Sequence, residues 1–252
     1  MKNYTLECCV DSFESANAAM EGGASRLELC SCLQVGGITP GINLFREINS
    51  FCNLPVNILL RPRFGDFCYT RHEYRIMMRD ACMFQDVGVN GMVIGVLTPE
   101  GKLNMPFMKD LIEAADGCAI TLHRAFDMCV DPFETLEQAI ELGCSSILTS
   151  GQCGTAMEGA ELIAKLHKAA AGRIEIMAGC GVNSQNIKAL VAAANTSAYH
   201  LTAKAALPSP MTFRREGLSM GLPTMSEYEL WRTDSREVGA VDRILRNSPE
   251  PQ

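Results

Sequence analysis

The 252-residue sequence has no apolar run long enough to cross a membrane, and it has too little positive charge for a nucleic-acid surface. A transmembrane helix needs about 18 or more consecutive uncharged apolar residues. The formal net charge is −7, whereas a protein that binds the phosphate backbone needs a basic face. We therefore expect neither a membrane nor a nucleic acid as a partner.

Three short signals are also missing. Met1-Lys2-Asn3-Tyr4 lead into a strand-like segment without the apolar stretch of a secretory signal. No Gly-x-Gly-x-x-Gly turn follows the first strand, so no nucleotide cofactor is expected. The twelve cysteines are scattered through apolar runs and include no Cys-x-x-Cys pair of a closed zinc site. These absences predict a cytoplasmic protein with reduced thiols and no disulfide framework.

Eight short strand-like runs alternate with helix-like segments along the chain. The runs are Thr5 to Val10, Arg26 to Cys30, Val56 to Arg61, Gly91 to Gly95, Ala119 to His123, Ser145 to Ser150, Ile174 to Ala178 and Ala198 to Thr202. Eight such units in a chain of this length predict an α/β fold, a TIM (β/α)8 barrel in which residues 1–252 form a single domain. An open, doubly wound sheet is the alternative. An irregular loop, Leu207 to Ser226, should lie over the barrel mouth, and Ser226 to Arg246 should form the last helix.

The carboxyl ends of the strands carry charged side chains, which a barrel would bring to one face. His123, Arg124 and Asp127 follow an apolar strand, where each would cost several kcal/mol to bury unpaired. We expect Glu7, Glu28, Arg61, Arg63, His123, Arg124, Asp127 and His200 to converge on one pocket. The candidate catalytic groups are His123, Glu7, Glu28 and Asp127. The candidate ligand-binding residues are Arg61, Arg63, Asp66, Arg124, Ser150, Gly179, Gly181 and His200.

Several of these candidates also have a structural interpretation. Glu7 and Glu28 could pair with Arg61 or Arg124 in a structural network. His200 could be a hydrogen-bonded core histidine, and Asp66 could be an ordinary loop acid. A Gly-rich turn at Gly179 to Gly181, before a helix, is where many barrels hold a phosphate. The same turn is equally typical of a tight loop with a helix cap.

Cys9 and Cys30 stand apart from the other cysteines. Each follows a glutamate by two positions at the end of consecutive strands, and neighbouring strands lie about 4.8 Å apart. Two thiolates at that spacing suit a soft ion such as Cu(I). Cys32 would be a third ligand if the chain stays extended past Ser31.

These residues resemble the CutC copper homeostasis protein family. The matching blocks are Glu7 to Ser12, Gly23 to Cys30, Gly36 to Pro40, Ile58 to Asp66, Thr121 to Met128, Leu148 to Gly151, Phe213-Arg214 and Leu218 to Met220. The resemblance implies a cytoplasmic TIM barrel that forms homo-oligomers, a dimer or tetramer, and handles copper with Cys9 and Cys30 as Cu(I) ligands. The sequence departs from the family at Phe64, Cys180 and Leu201-Thr202, and Phe64 and Leu201 would add bulk near the mouth.

The function hypotheses explain different residues. A copper-handling protein that binds Cu(I) through Cys9 and Cys30 accounts for the two thiols. An enzyme acting on a small anionic metabolite, phosphorylated or not, accounts for Arg61, Arg63 and Arg124, because Cu(I) needs no arginines. A purely structural scaffold leaves the charged barrel mouth unexplained.

Overall fold

Eight parallel strands close into a barrel in the computed structural model, which describes residues 3–218, 220–222 and 225–248. The barrel strands are β1 (Thr5–Val10), β2 (Arg26–Leu29), β3 (Val56–Leu59), β4 (Gly91–Ile94), β5 (Ala119–Leu122), β6 (Ser146–Thr149), β7 (Glu175–Gly179) and β8 (Ala198–Leu201). Each strand pairs with the next, and β8 returns to β1 with Glu7 opposite His200. The predicted TIM barrel is confirmed, and the open sheet is wrong. The assignment of all 252 residues to one domain stays a prediction.

Helices follow the barrel strands and pack against their outer faces. In the described part of the chain they are α1 (Phe13–Glu21), α2 (Ile42–Phe51), α3 (Arg71–Asp86), α4 (Met105–Ala114), α5 (Pro132–Glu141), α6 (Ala160–Ala170), α7 (Ile187–Ala194) and α8 (Ser235–Arg246). Local sequence sets where several begin: Thr70 and Glu73 form a reciprocal cap on α3, and Asp131 caps α5 just before Pro132. None of these helices is long and apolar enough to span a membrane.

The strands separate an apolar outer core from a mixed barrel interior. Successive strand residues point to opposite faces, so Leu6, Cys8 and Val10 of β1 join the outer core beneath the helices. Glu7 and Cys9 on the same strand therefore face the barrel axis. Cys9 belongs to a small inner cluster with Cys30, Leu59 and Val93. The alternation thus places carboxylates and thiols side by side inside the barrel.

The segment after β8 differs from the prediction. Lys204–Pro208 (β9) and Glu229–Thr233 (β10) form a two-stranded antiparallel sheet, so Leu207 and Pro208 are not part of an irregular loop. The last helix begins only at Ser235, where the Asp234 carboxylate accepts from the Arg236 N–H, so the helix predicted from Ser226 is wrong. The ladder with β9 satisfies the backbone of 229–233, and this pairing partner is distant in sequence. Ser219, Pro223 and Thr224 of the predicted loop lie outside the described residues.

Candidate functional site

Five side chains from three adjacent strands meet inside the barrel: Glu7 and Cys9 on β1, Glu28 on β2, Cys30 directly after β2, and His200 on β8. The Cys9 and Cys30 sulfurs lie 3.7 Å apart, and the Cys9 thiol donates to Glu28 Oε1 at 3.1 Å. His200 Nε2 lies 3.6 Å from Glu28 Oε2 and 3.9 Å from Glu7 Oε1. Both thiols are free and buried. The structure thus brings both predicted thiols together with three of the predicted polar residues.

Arg26, which sequence reasoning missed, closes this cluster at the amino-terminal end of β2. Its Nε donates to Glu7 Oε2 at 2.5 Å, and its Nη2 lies 3.6 Å from Glu175 Oε2. Arg26, Glu28 and Cys30 alternate along one strand and share a face, and this spacing was the available signal. The predicted structural network of Glu7 with an arginine therefore exists, but its partner is Arg26.

Burial and charge pull the titrating groups of this cluster in opposite directions. Burial raises the pKa of Glu7, against the opposing effect of Arg26. Burial would also raise the pKa of Glu28, but the charge of the nearby His200 outweighs it and lowers that pKa. Burial would lower the pKa of His200, but Glu28 and then Glu7 raise it. His200 and Glu28 therefore each favour the charged form of the other.

Three buried atoms of this cluster lack a hydrogen-bond partner among the described residues: Glu7 Oε1, Glu28 Oε2 and His200 Nε2. Ligand atoms of Cys9, Glu28 and His200 all lie within 4.8 Å of one another, a spacing that suits a metal ion. The hydrogen bond with Cys30, together with burial, raises the pKa of the Cys9 thiol well above its usual range. A metal ion bound by this sulfur must therefore displace a proton.

His123 and Arg61 both lie against the ring of Phe67. The His123 ring centroid is 4.8 Å from that of Phe67, and Arg61 Cζ is 5.0 Å from the same centroid. His123 Nδ1 accepts from the Ala125 N–H at 3.1 Å. Gly95 makes room for the imidazole, because a Cβ there would lie 2.5 Å from it.

Arg124 and Asp127 belong to a separate network beyond β5, in a short 3₁₀ helix. Arg124 Nε donates to Asp127 Oδ2 at 2.7 Å, and its Nη2 donates to Ser150 Oγ at 3.0 Å. Asp127 also accepts from the Thr149 hydroxyl at 2.5 Å and from the Ser150 N–H at 3.0 Å. These contacts tie the loop after β5 to the loop after β6.

Arg63 and Asp66 lie on the rim and point toward the helical layer. Arg63 Nε donates to Glu73 Oε1 in the first turn of α3 at 2.6 Å, and its Nη2 donates to Asp66 Oδ1 at 2.9 Å. Asp66 also accepts from the Cys68 N–H, as a loop acid does. The expectation that all eight charged side chains converge on one pocket is therefore wrong for Arg63, whose neighbouring acids hold it outside the barrel.

The remaining predicted residues have identifiable structural surroundings. A Cβ on Gly179 would lie 2.4 Å from Leu148 Cδ1 and 3.2 Å from His200 Cβ, so packing favours glycine there. The Gly181 carbonyl accepts from the Asn183 and Asn186 side chains. A phosphate at this turn stays a prediction.

The other cysteines and the two bulky departures do not join the cluster. Cys32 is exposed with a φ of 55°, so the chain turns away instead of staying extended, and the Cys180 thiol donates to the Gly154 carbonyl at 3.1 Å. Phe64 is exposed and Leu201 packs in the outer core. Neither of these two side chains fills the barrel.

His123 predicts a pH dependence of stability. Burial, reinforced by the charge of Arg61 and opposed by Glu28 and Asp127, lowers the pKa of His123 to about 4. Between pH 6.5 and 4, His123 binds a proton in the unfolded chain but not in the native protein, so acidification lowers the free energy of unfolding. The wild type should lose about 3 kcal/mol in its free energy of unfolding between pH 7 and pH 4 because of this residue. We expect urea titrations of His123→Gln to show that this loss is absent. His72→Gln, at an exposed position, is the control, and identical pH profiles for wild type and His123→Gln would contradict the prediction.

Comparisons with known proteins agree on one family. The CutC family model matches residues 4–205. The CutC family protein of Histophilus somni is 42% identical over 241 residues, covering 96% of this chain and 99% of the relative. That of Bacteroides fragilis strain YCH46 is 43% identical over 248 residues, covering 97% and 96%.

One solved structure carries the same family name, and another shares only the fold. The crystal structure of CutC from Streptococcus agalactiae, described as a candidate copper homeostasis protein, has 29% identity and a TM-score of 0.76, covering 79% of this chain and 98% of that one. A thiamine phosphate pyrophosphorylase from Pyrococcus furiosus, with 15% identity, a TM-score of 0.57 and coverage of 98% and 97%, shares the fold alone.

Proposed function

This chain belongs to the CutC family, and from that membership we propose that it serves copper homeostasis by binding Cu(I) through Cys9 and Cys30. The observation that carries the proposal is the 3.7 Å separation of two free sulfurs. Thiolates are soft ligands and select Cu(I) over hard cations such as Mg²⁺ and Ca²⁺.

The surroundings of the two thiols support a metal ion. His200 Nε2 lacks a hydrogen-bond partner among the described residues and, in the neutral form of the ring, offers a nitrogen ligand close to Cys9. Glu28 Oε1 accepts the hydrogen bond of the Cys9 thiol. Cys9 is only 3% exposed and Cys30 is 0% exposed, so solvent does not reach the two sulfurs freely. Copper entry and release therefore require a local opening of the barrel mouth, which suits a buffer that retains its ion.

A cytoplasmic location is part of the proposal. All twelve cysteines are free, which is the state that a reducing compartment maintains. A homo-oligomer, dimer or tetramer, stays a prediction from the family.

The test is an anaerobic Cu(I) titration against a competing chromophoric chelator under reducing conditions. We expect Cys9→Ser and Cys30→Ser each to weaken Cu(I) binding by more than the roughly tenfold that the loss of an outer-shell contact costs. Cys82→Ser, which removes an exposed thiol on α3, is the matched control and should bind like the wild type. Unchanged affinity in both test variants would exclude the site, and Mg²⁺ should not compete in any of them.

A further inference from the structure

Three buried or half-buried hydrogen-bond donors on the mouth side of the barrel have no acceptor among the described residues. They are Arg61 Nε, the Tyr69 hydroxyl and His123 Nε2. Arg61 and His123 lie against the same Phe67 ring, and the Arg61 guanidinium is close enough to Tyr69 to act on its hydroxyl. Buried donors normally have partners, so three neighbouring unpartnered donors indicate a missing acceptor.

Arg61 also carries a positive charge without a carboxylate partner in the described part of the chain. The residue is 8% exposed, and its terminal nitrogens donate to backbone carbonyls, including Gly37 at 3.1 Å and Gly65 at 2.7 Å. The nearby acids Asp66 and Glu73 are both engaged by Arg63. The carbonyls hold the guanidinium in place but do not neutralise it, and an uncompensated buried charge is costly.

The other two groups are neutral donors at pH 7. Because His123 Nδ1 accepts from the Ala125 N–H, the proton of the neutral ring is on Nε2, the unpartnered nitrogen. Burial raises the pKa of Tyr69 to about 12, so its hydroxyl keeps its proton. The three side chains thus present three donors and one guanidinium without a carboxylate partner, since the Arg63 guanidinium near the Tyr69 ring is paired with Asp66 and Glu73.

We propose that Arg61, Tyr69 and His123 bind the carboxylate group of a small molecule at the barrel mouth. A carboxylate is a pure acceptor with about four lone-pair sites, enough for three donors. Its single negative charge balances one guanidinium. A phosphate dianion would add a second charge near Glu28, whose carboxylate already acts on His123. Of the three arginines predicted to bind an anion, this proposal retains Arg61, since Arg63 pairs with Glu73 and Arg124 pairs with Asp127.

The site does not depend on copper, and its test is run with a Cu(I) chelator present. The probe is acetate, titrated into ¹⁵N-histidine-labelled protein at pH 7 and constant ionic strength with chloride as the balancing ion. We expect a saturable change in the His123 Nε2–H signal. Tyr69→Phe should fold, because it deletes only an unpartnered hydroxyl, and should weaken acetate binding about tenfold, the value of one hydrogen bond to a charged acceptor.

Tyr74→Phe is the matched control, because that hydroxyl is exposed on α3 and donates to Asp110, and its acetate affinity should equal that of the wild type. A non-saturable response, or equal acetate affinity in Tyr69→Phe and wild type, would overturn the site. Tighter binding of inorganic phosphate than of acetate would overturn the assignment to a carboxylate.

Discussion

Arg26→Met is expected to lower the free energy of unfolding by about 4 kcal/mol at pH 7, because it leaves a buried carboxylate without its cation. Glu7 has a side-chain exposure of 0%, and Arg26 Nε contacts its Oε2 at 2.5 Å. Methionine retains most of the apolar stem of Arg26, so the cost reports the lost charge more than lost packing. Urea-induced unfolding measured by circular dichroism provides the comparison with the wild type.

Adding Glu7→Gln to Arg26→Met should recover most of that stability, because the unpaired charge is gone. Acid should also recover stability. Burial raises the pKa of Glu7, so as the pH falls the native state of Arg26→Met binds a proton at Glu7 before the unfolded chain does. This gain ends when the pH reaches the pKa of Glu7 in the unfolded chain. Arg173→Met, which breaks an exposed pair with Glu137, is the control and should change stability far less. A double variant no more stable than Arg26→Met would show that the charge of Glu7 is not the cause.

The sequence predicts the barrel well because two local patterns determine it: the two-residue alternation of the strands and the 3.6-residue period of the helices. Alternation along β1 and β2 sends Leu6 and Leu27 to the helices and Cys9 and Glu28 to the axis, and the consecutive pairing of parallel strands then brings Cys9 to Cys30. The strand β10 was missed because its sequence, Glu229 to Thr233, has neither the apolar run nor the regular alternation of the barrel strands, and residues 226–246 also contain the helix that begins at Ser235.

The candidate site was less predictable. Beyond the end of a strand, the direction of a side chain depends on the groups around it and no longer on the two-residue alternation. Arg61 and Arg63 are two residues apart, yet glycine carbonyls hold the first inside and Glu73 draws the second out to α3. Cys32 lies outside the cluster because its backbone is in the left-handed region, which a cysteine in the sequence does not predict. The unpartnered donors of Tyr69 and His123 depend on what is absent around them, and only coordinates reveal that.

Asp127→Ala is expected to lower the free energy of unfolding by about 4 kcal/mol, since two buried donors lose their acceptor and each unsatisfied group costs about 1–3 kcal/mol. The Thr149 hydroxyl and the Ser150 N–H both donate to Oδ1, and both residues are 0% exposed. Oδ1 also accepts from the N–H of Gln152, a non-glycine residue with a φ of 57°. The carboxylate therefore stabilises a turn whose backbone is strained on its own.

The comparison with Asp127→Asn tests this explanation. An amide offers one acceptor oxygen and places an NH₂ where the second oxygen accepted from donors, so this variant should lose about half as much stability as Asp127→Ala. Asp131→Ala removes a helix cap from the exposed start of α5 and should cost only about 1 kcal/mol. If Asp127→Ala costs no more than Asp131→Ala in urea titrations, the loop after β6 maintains its turn without the carboxylate, and Arg124 is then held by Ser150 alone.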